Sequence, residues 1–167
     1  DRDDFEVGKD SFELVVDSPL MIKAFWKKLH HVVLESDYVK PILFDEWIRD
    51  GDKLIFNQLE REIIWVNGTR IVFDKWVNDI SLPNKDIEVI VTSPIRAHAI
   101  WRVYYLVSVE SSEPSISIKV DRLGWVEKGC NVKIDATPIE RDLGKGVKIL
   151  FKEWSGSIIS QDPVIEV

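Results

Sequence analysis

Apolar residues recur along this chain in two rhythms, and the change of rhythm divides it into three parts. Phe12 to Val16 is a short apolar run with strand character. Asp17-Ser18-Pro19 then stops it, with Ser18 placed to cap a helix and Pro19 suited to a first turn. From Leu20 to Glu35 the residues Ile22, Phe25, Trp26, Leu29 and Val33 return every three or four positions, which predicts a helix with Lys23, Lys27, Lys28 and His31 on its other side. Ser36-Asp37 offers a second cap, and the segment from Tyr38 to Ile48 predicts a short helix or an irregular arm, with Pro41 confined to the first turn.

From Lys53 the rhythm changes to period two and to short apolar runs. Strands are expected at Lys53–Leu59, Glu62–Val66, Thr69–Ile80, Asp86–Thr92, His98–Val109, Ser115–Asp121 and Asn131–Thr137. The most informative, His98–Val109, is apolar at every odd position from Ala99 to Val109 and mixed at the even ones. One of its faces is therefore committed to a core. Asn67-Gly68 between two apolar runs reads as a hairpin turn with both residues at positive φ, a stronger reading than the glycosylation sequon that Asn67-Gly68-Thr69 also spells. Leu143, Val147, Leu150, Phe151 and Trp154 restore helical spacing, although Gly144 and Gly146 weaken that helix by about 1 kcal/mol each. Residues 1–10 and 157–167 read as extended tails of a single domain spanning 1–167. The fold class expected is α+β: a curved antiparallel sheet of six to seven strands with one or two short helices after the first strand and an amphipathic helix at the end.

Composition narrows the function classes. With 45 % hydrophobic and 31 % charged residues among 167, the chain has the means to build a core and is not expected to be disordered. Its formal charge of -7 disfavours nucleic acid as a partner. No apolar run approaches the roughly 18 residues of a membrane span, and the acidic opening Asp1-Arg2-Asp3-Asp4 does not read as a signal peptide. Cys130 is the single cysteine, which excludes an intramolecular disulfide and fits a reducing, cytoplasmic setting.

The order of elements resembles the START-like, or SRPBCC, superfamily with its helix-grip fold. The resemblance is carried by Phe12-Glu-Leu-Val-Val-Asp-Ser-Pro-Leu as opening strand and helix entry, by Phe25-Trp-Lys-Lys-Leu in the first helix, and by Ser36-Asp-Tyr-Val-Lys-Pro in the second. Asn131-Val-Lys-Ile-Asp-Ala-Thr-Pro is similar to the last strand, and Asp142 to Trp154 falls where the gripping helix would lie. The resemblance implies a cavity between sheet and C-terminal helix that takes a hydrophobic small molecule, such as a lipid or another apolar metabolite. Its walls would be Trp101, Val103, Tyr105, Ile116, Ile118, Ile134, Phe151 and Trp154, with Phe44 and Trp47 as lid.

Candidate chemistry is sparse. His30 and His31 are neighbours on the expected helix and diverge too far to hold one metal, and His98 stands alone. Neither a metal nor a cofactor is called for, and no residue is assigned as catalytic. Cys130 and the serines lack an activating context, and Gly144-Lys145-Gly146 is too short for a phosphate loop. His98 and Arg102 share a strand face, where Arg102 is a possible forked anchor for an anionic head group if that face is internal. Seven tryptophans serve equally as core, as ligand cage or, like Trp125 near a turn, as a partner surface. Two alternatives to small-molecule binding therefore stand: a protein-interaction module with a filled core and exposed aromatics, and a cyclase- or hydratase-type enzyme using His98 or a buried carboxylate as proton donor.

Overall fold

In the computed structural model, which describes residues 13–167, the described chain is built from strands alone. The expected α+β fold with a gripping C-terminal helix is thereby overturned. The main sheet joins β1 (Leu29–Ser36), β2 (Ile42–Arg49), β4 (Glu62–Ile64), β5 (Thr69–Asn78), β7 (Ile95–Val107) and β9 (Gly124–Glu127). Its order is β2-β1-β7-β5-β4, and β9 pairs with the far half of β7. β3 (Lys53–Phe56) and β6 (Ile87–Ile90) form a separate two-stranded sheet. Toward the C-terminus, β8 (Lys119–Val120), β10 (Lys133–Asp135) and β13 (Val164–Glu166) make a three-stranded sheet, and β11 (Glu140–Gly144) and β12 (Val147–Leu150) make a hairpin.

Each misplaced helix has a local reason. Within Leu20–Glu35 the apolar residues fit three-and-four spacing, but His30, Val32, Leu34 and Ser36 are the ones buried, at a spacing of two. The adjacent β-branched Val32 and Val33 favour a pleated strand, and β1 inserts between β2 and β7. The residues of the expected helical stripe, Ile22, Phe25, Trp26 and Leu29, are exposed instead. The second expected helix is β2, antiparallel to β1. At the C-terminal end Gly144, Lys145 and Gly146 all take positive φ, which no right-handed helix admits, so the chain reverses and Glu140 pairs with Leu150. Of the expected opening strand, Phe12 lies outside the described residues and Glu13–Val16 carry no regular structure. Residues 1–10 also lie outside them, while the 157–167 segment supplies β13 rather than a free tail.

The seven strands predicted from Lys53 onward are present, several in shortened form. β8 keeps only two residues of Ser115–Asp121. The sheet is mixed rather than antiparallel, because β1 runs parallel to β7. Asn67-Gly68 does turn the β4–β5 hairpin, but only Gly68 has positive φ. The Gly68 amide donates to the Trp65 carbonyl and the Trp65 amide to the Thr69 carbonyl, the pattern of a type I turn closed by a glycine bulge.

The inner face of the main sheet packs on β3 and β6 through Val32, Leu34, Ile71, Trp76, Leu54 and Ile87. Aromatic rings fill the space between: Phe44 meets Phe56, Phe56 meets Trp76, and Phe73 bridges Trp76 and Trp101, at centroid separations of 5.8–6.4 Å. The two buried indoles are also satisfied, Trp76 Nε1 donating to the Lys85 carbonyl and Trp101 Nε1 to Ser36 Oγ. A second apolar cluster, around Val126, Val132 and Ile134, holds the C-terminal sheet to the end of β7 through Val107.

Candidate functional site

The residues expected to wall one cavity are distributed over four settings. Trp101 and Val103 face the aromatic core with Phe44. Ile134 lies in the second cluster. Tyr105 and Trp47 are exposed, Trp47 stacking on His31 at 4.9 Å. Ile116, Ile118, Phe151 and Trp154 are the ones that meet at an open cavity. They line a groove of about 410 Å³ between the loop 110–118, the β11–β12 hairpin and the segment that leads from β12 to Trp154. Because no helix is there to be gripped, the expected cavity between sheet and helix has no counterpart, and its interior is occupied by the ring packing just described.

The groove has an apolar floor and a charged rim. Phe151 and Trp154 contact at 5.3 Å with their planes tilted by 57°. Trp154 is held by its own backbone pairing with Ser160 and by its indole N–H, which donates to the Asp162 carbonyl. Glu110, Glu113, Glu140 and Glu153 stand on the rim with Arg141 and Lys152. Arg141 donates to the Ser115 carbonyl, and hydrogen bonds from Ser115 hold the Glu113 carboxyl below its ordinary range. This mixture suits an organic molecule with an apolar body and no net negative charge.

The polar residues of β7 face the other way. His98 and Arg102 alternate with buried Ala97, Ala99 and Trp101, so they lie on the outer face of the sheet. There Arg102 is committed to Asp74, which raises its pKa, and His98 Nε2 sits 3.2 Å from Asp37. The same face carries Glu35 with a two-bond contact to Arg96, His31 with Asp45, and Arg70 with Glu62. Arg70 also lies over the rings of Tyr104 and Trp125. His30, one step from His31, points inward and pairs with Asp50 at 2.7 Å. All three histidines are thus matched to aspartates, on opposite sides of the sheet because strand neighbours point apart.

The feature that the periodicity concealed is the arm before β1. Leu14, Val15, Val16, Leu20, Met21, Ile22, Phe25 and Trp26 are all more than half exposed, Met21 at 95 % and Trp26 at 92 %. Among the described residues, 13–27 form no backbone hydrogen bond, and the β1–β2 ladder begins where the Lys28 carbonyl accepts from the Asp50 amide. A signal was present in the sequence. Leu20-Met21-Ile22 and Phe25-Trp26 are consecutive apolar residues, which would wrap a helix on several sides instead of forming one stripe. Next to the arm's exit, β2 pairs on one side only among the described residues, leaving an eight-residue edge.

Among the described residues no helix is long and apolar enough to cross a membrane. No protein-family model, no curated protein and no solved structure matches the chain, so its reading rests on the geometry above.

Proposed function

We propose that this protein is an interaction module that binds a protein partner through its apolar N-terminal arm. The observation that carries the reading is the exposure of eight large apolar side chains within residues 14–26. Burying one such side chain is worth on the order of 1.5–3 kcal/mol, so the arm gains far more from a partner than from water. A filled aromatic core supports the same reading, since it leaves the body as a scaffold that presents the arm. The test is amide hydrogen exchange on dilute monomeric protein. Residues 14–26 should exchange at the rate of an unstructured peptide, and trypsin should cut first after Lys23, Lys27 and Lys28. An arm that is slow to exchange in the monomer is covered by its own chain, and the reading fails.

A second reading is supported by the groove. An apolar floor of Ile116, Ile118, Phe151 and Trp154, within a volume of about 410 Å³, suits a small hydrophobic ligand. Native mass spectrometry of the purified chain should then show a bound apolar compound that is lost in Trp154→Ala. Protein of bare mass that also fails to bind an uncharged, environment-sensitive apolar dye such as Nile red would rule this reading out.

A further inference from the structure

We infer that the arm's partner is a second copy of this chain, and that residues 20–27 of one copy lie as an added strand along the free edge of β2 in the other. The inference rests on the interaction reading above and adds the identity of the partner and the seat it occupies.

Charge is the first argument. Residues 20–27, the segment that would be added, carry Lys23 and Lys27 and no acidic residue, while the whole chain carries -7. The body from Leu29 to Val167 holds 17 Lys and Arg against 22 Asp and Glu, so it is itself acidic and attracts another copy's arm. The edge itself follows suit: β2 exposes Asp45 and Glu46, and Asp50 and Asp52 follow directly after it. The second argument is the pattern of the arm read as a strand. Leu20, Ile22, Ala24 and Trp26 fall on one face, and Met21, Lys23, Phe25 and Lys27 on the other. β2 is divided in the same way, with Phe44 and Ile48 packed on the core and Asp45 and Trp47 on the outer side. An arm seated there continues the apolar inner face with Ile22 and Trp26. It also brings Lys23 and Lys27 beside Asp45 and the Trp47 ring, which is 65 % exposed.

Backbone chemistry makes the same demand. An eight-residue edge offers unpaired amides and carbonyls, and an arm without backbone hydrogen bonds offers the complement. Fully extended, residues 14–26 reach about 40 Å, more than the length of β2, so the arm spans a gap between copies. Its own β2 is a poor target. The arm enters β1, which already fills the other side of β2, and reaching the free edge in the same copy requires it to double back around the end of the strand.

The experiment is sedimentation velocity on the full chain over a concentration series, repeated with Lys23→Glu/Lys27→Glu and with Trp26→Asp. Both variants change residues outside the packed body, and circular dichroism checks that each keeps the parent's fold. Expected is a reversible dimer whose dissociation constant rises at least tenfold in each variant, with amides of 20–27 protected only at dimeric concentrations. A chain that stays monomeric at every concentration while its arm exchanges freely overturns the second-copy inference and leaves the interaction reading standing. A monomer with a protected arm overturns both. A dimer that neither variant weakens uses another surface, and it also overturns the inference.

Discussion

Trp76 shows how single residues hold this molecule together. It is fully buried, touches Phe56 and Phe73, and spends its indole's only donor on the Lys85 carbonyl. Trp76→Ala would leave a large void in a close-packed interior, and a loss of about 3–5 kcal/mol is expected from urea denaturation. A loss below about 1 kcal/mol would mean that the aromatic core is not packed as described. Charged residues act through pH. The His30 ring beside Asp50, assisted by Lys28, holds the Asp50 carboxyl below its ordinary range, and the Arg96 guanidinium does the same for Glu35. Both groups bind protons less readily folded than unfolded. Their contribution is therefore present above the unfolded values near pH 4 and is lost as the pH falls through the lower folded ones. Asp50→Asn should flatten the loss of stability as the pH falls below about 4. An unchanged acid limb in thermal melts would remove the His30–Asp50 pair from the account.

At the scale of elements, the β11–β12 hairpin is the sharpest test of the fold. Gly146 at φ 77° has open space where a Cβ would be, so only backbone conformation opposes a side chain there. In a helix, Gly146→Ala would stabilise by about 1 kcal/mol. In this turn the left-handed conformation should make it destabilising by about 1–2 kcal/mol. The sign of the change in denaturation midpoint decides between the two. The strand set from Lys53 to Val107 was legible because alternation and burial agree: odd positions of β7 such as Ala97, Ala99 and Trp101 are apolar and buried. The arm and β1 were not legible as they stand, since Ile22, Phe25, Trp26, Leu29 and Val33 satisfy a helical period by coincidence of spacing. A short apolar segment fits either period, and pairing with β2 and β7 decides in favour of a strand.

At the scale of the whole molecule, two apolar clusters organise the chain and leave two kinds of surface for binding. One is the groove on the C-terminal cluster, and the other is the arm with the β2 edge. The outer face of the main sheet is covered by paired, solvent-screened charges, and it has little free valence for a partner. Dimer formation is accordingly expected to be insensitive to Arg102→Ala and sensitive to changes in the arm. Dissociation constants measured side by side check this, and a larger effect from Arg102→Ala would move the interface to the sheet face.

The residues by themselves determined which segments between Lys53 and Val107 are strands, where glycine turns them, and which face of β7 is dry. Those properties follow from side-chain alternation and from the φ that each residue tolerates, both local quantities. Tertiary structure alone decided that Leu29–Ser36 is a central strand parallel to β7, that Trp101 and Phe151 belong to different clusters, and that Phe25 and Trp26 find no cover within the described body. Strand pairing and burial join residues far apart in the chain, and no local spacing encodes which of them will meet.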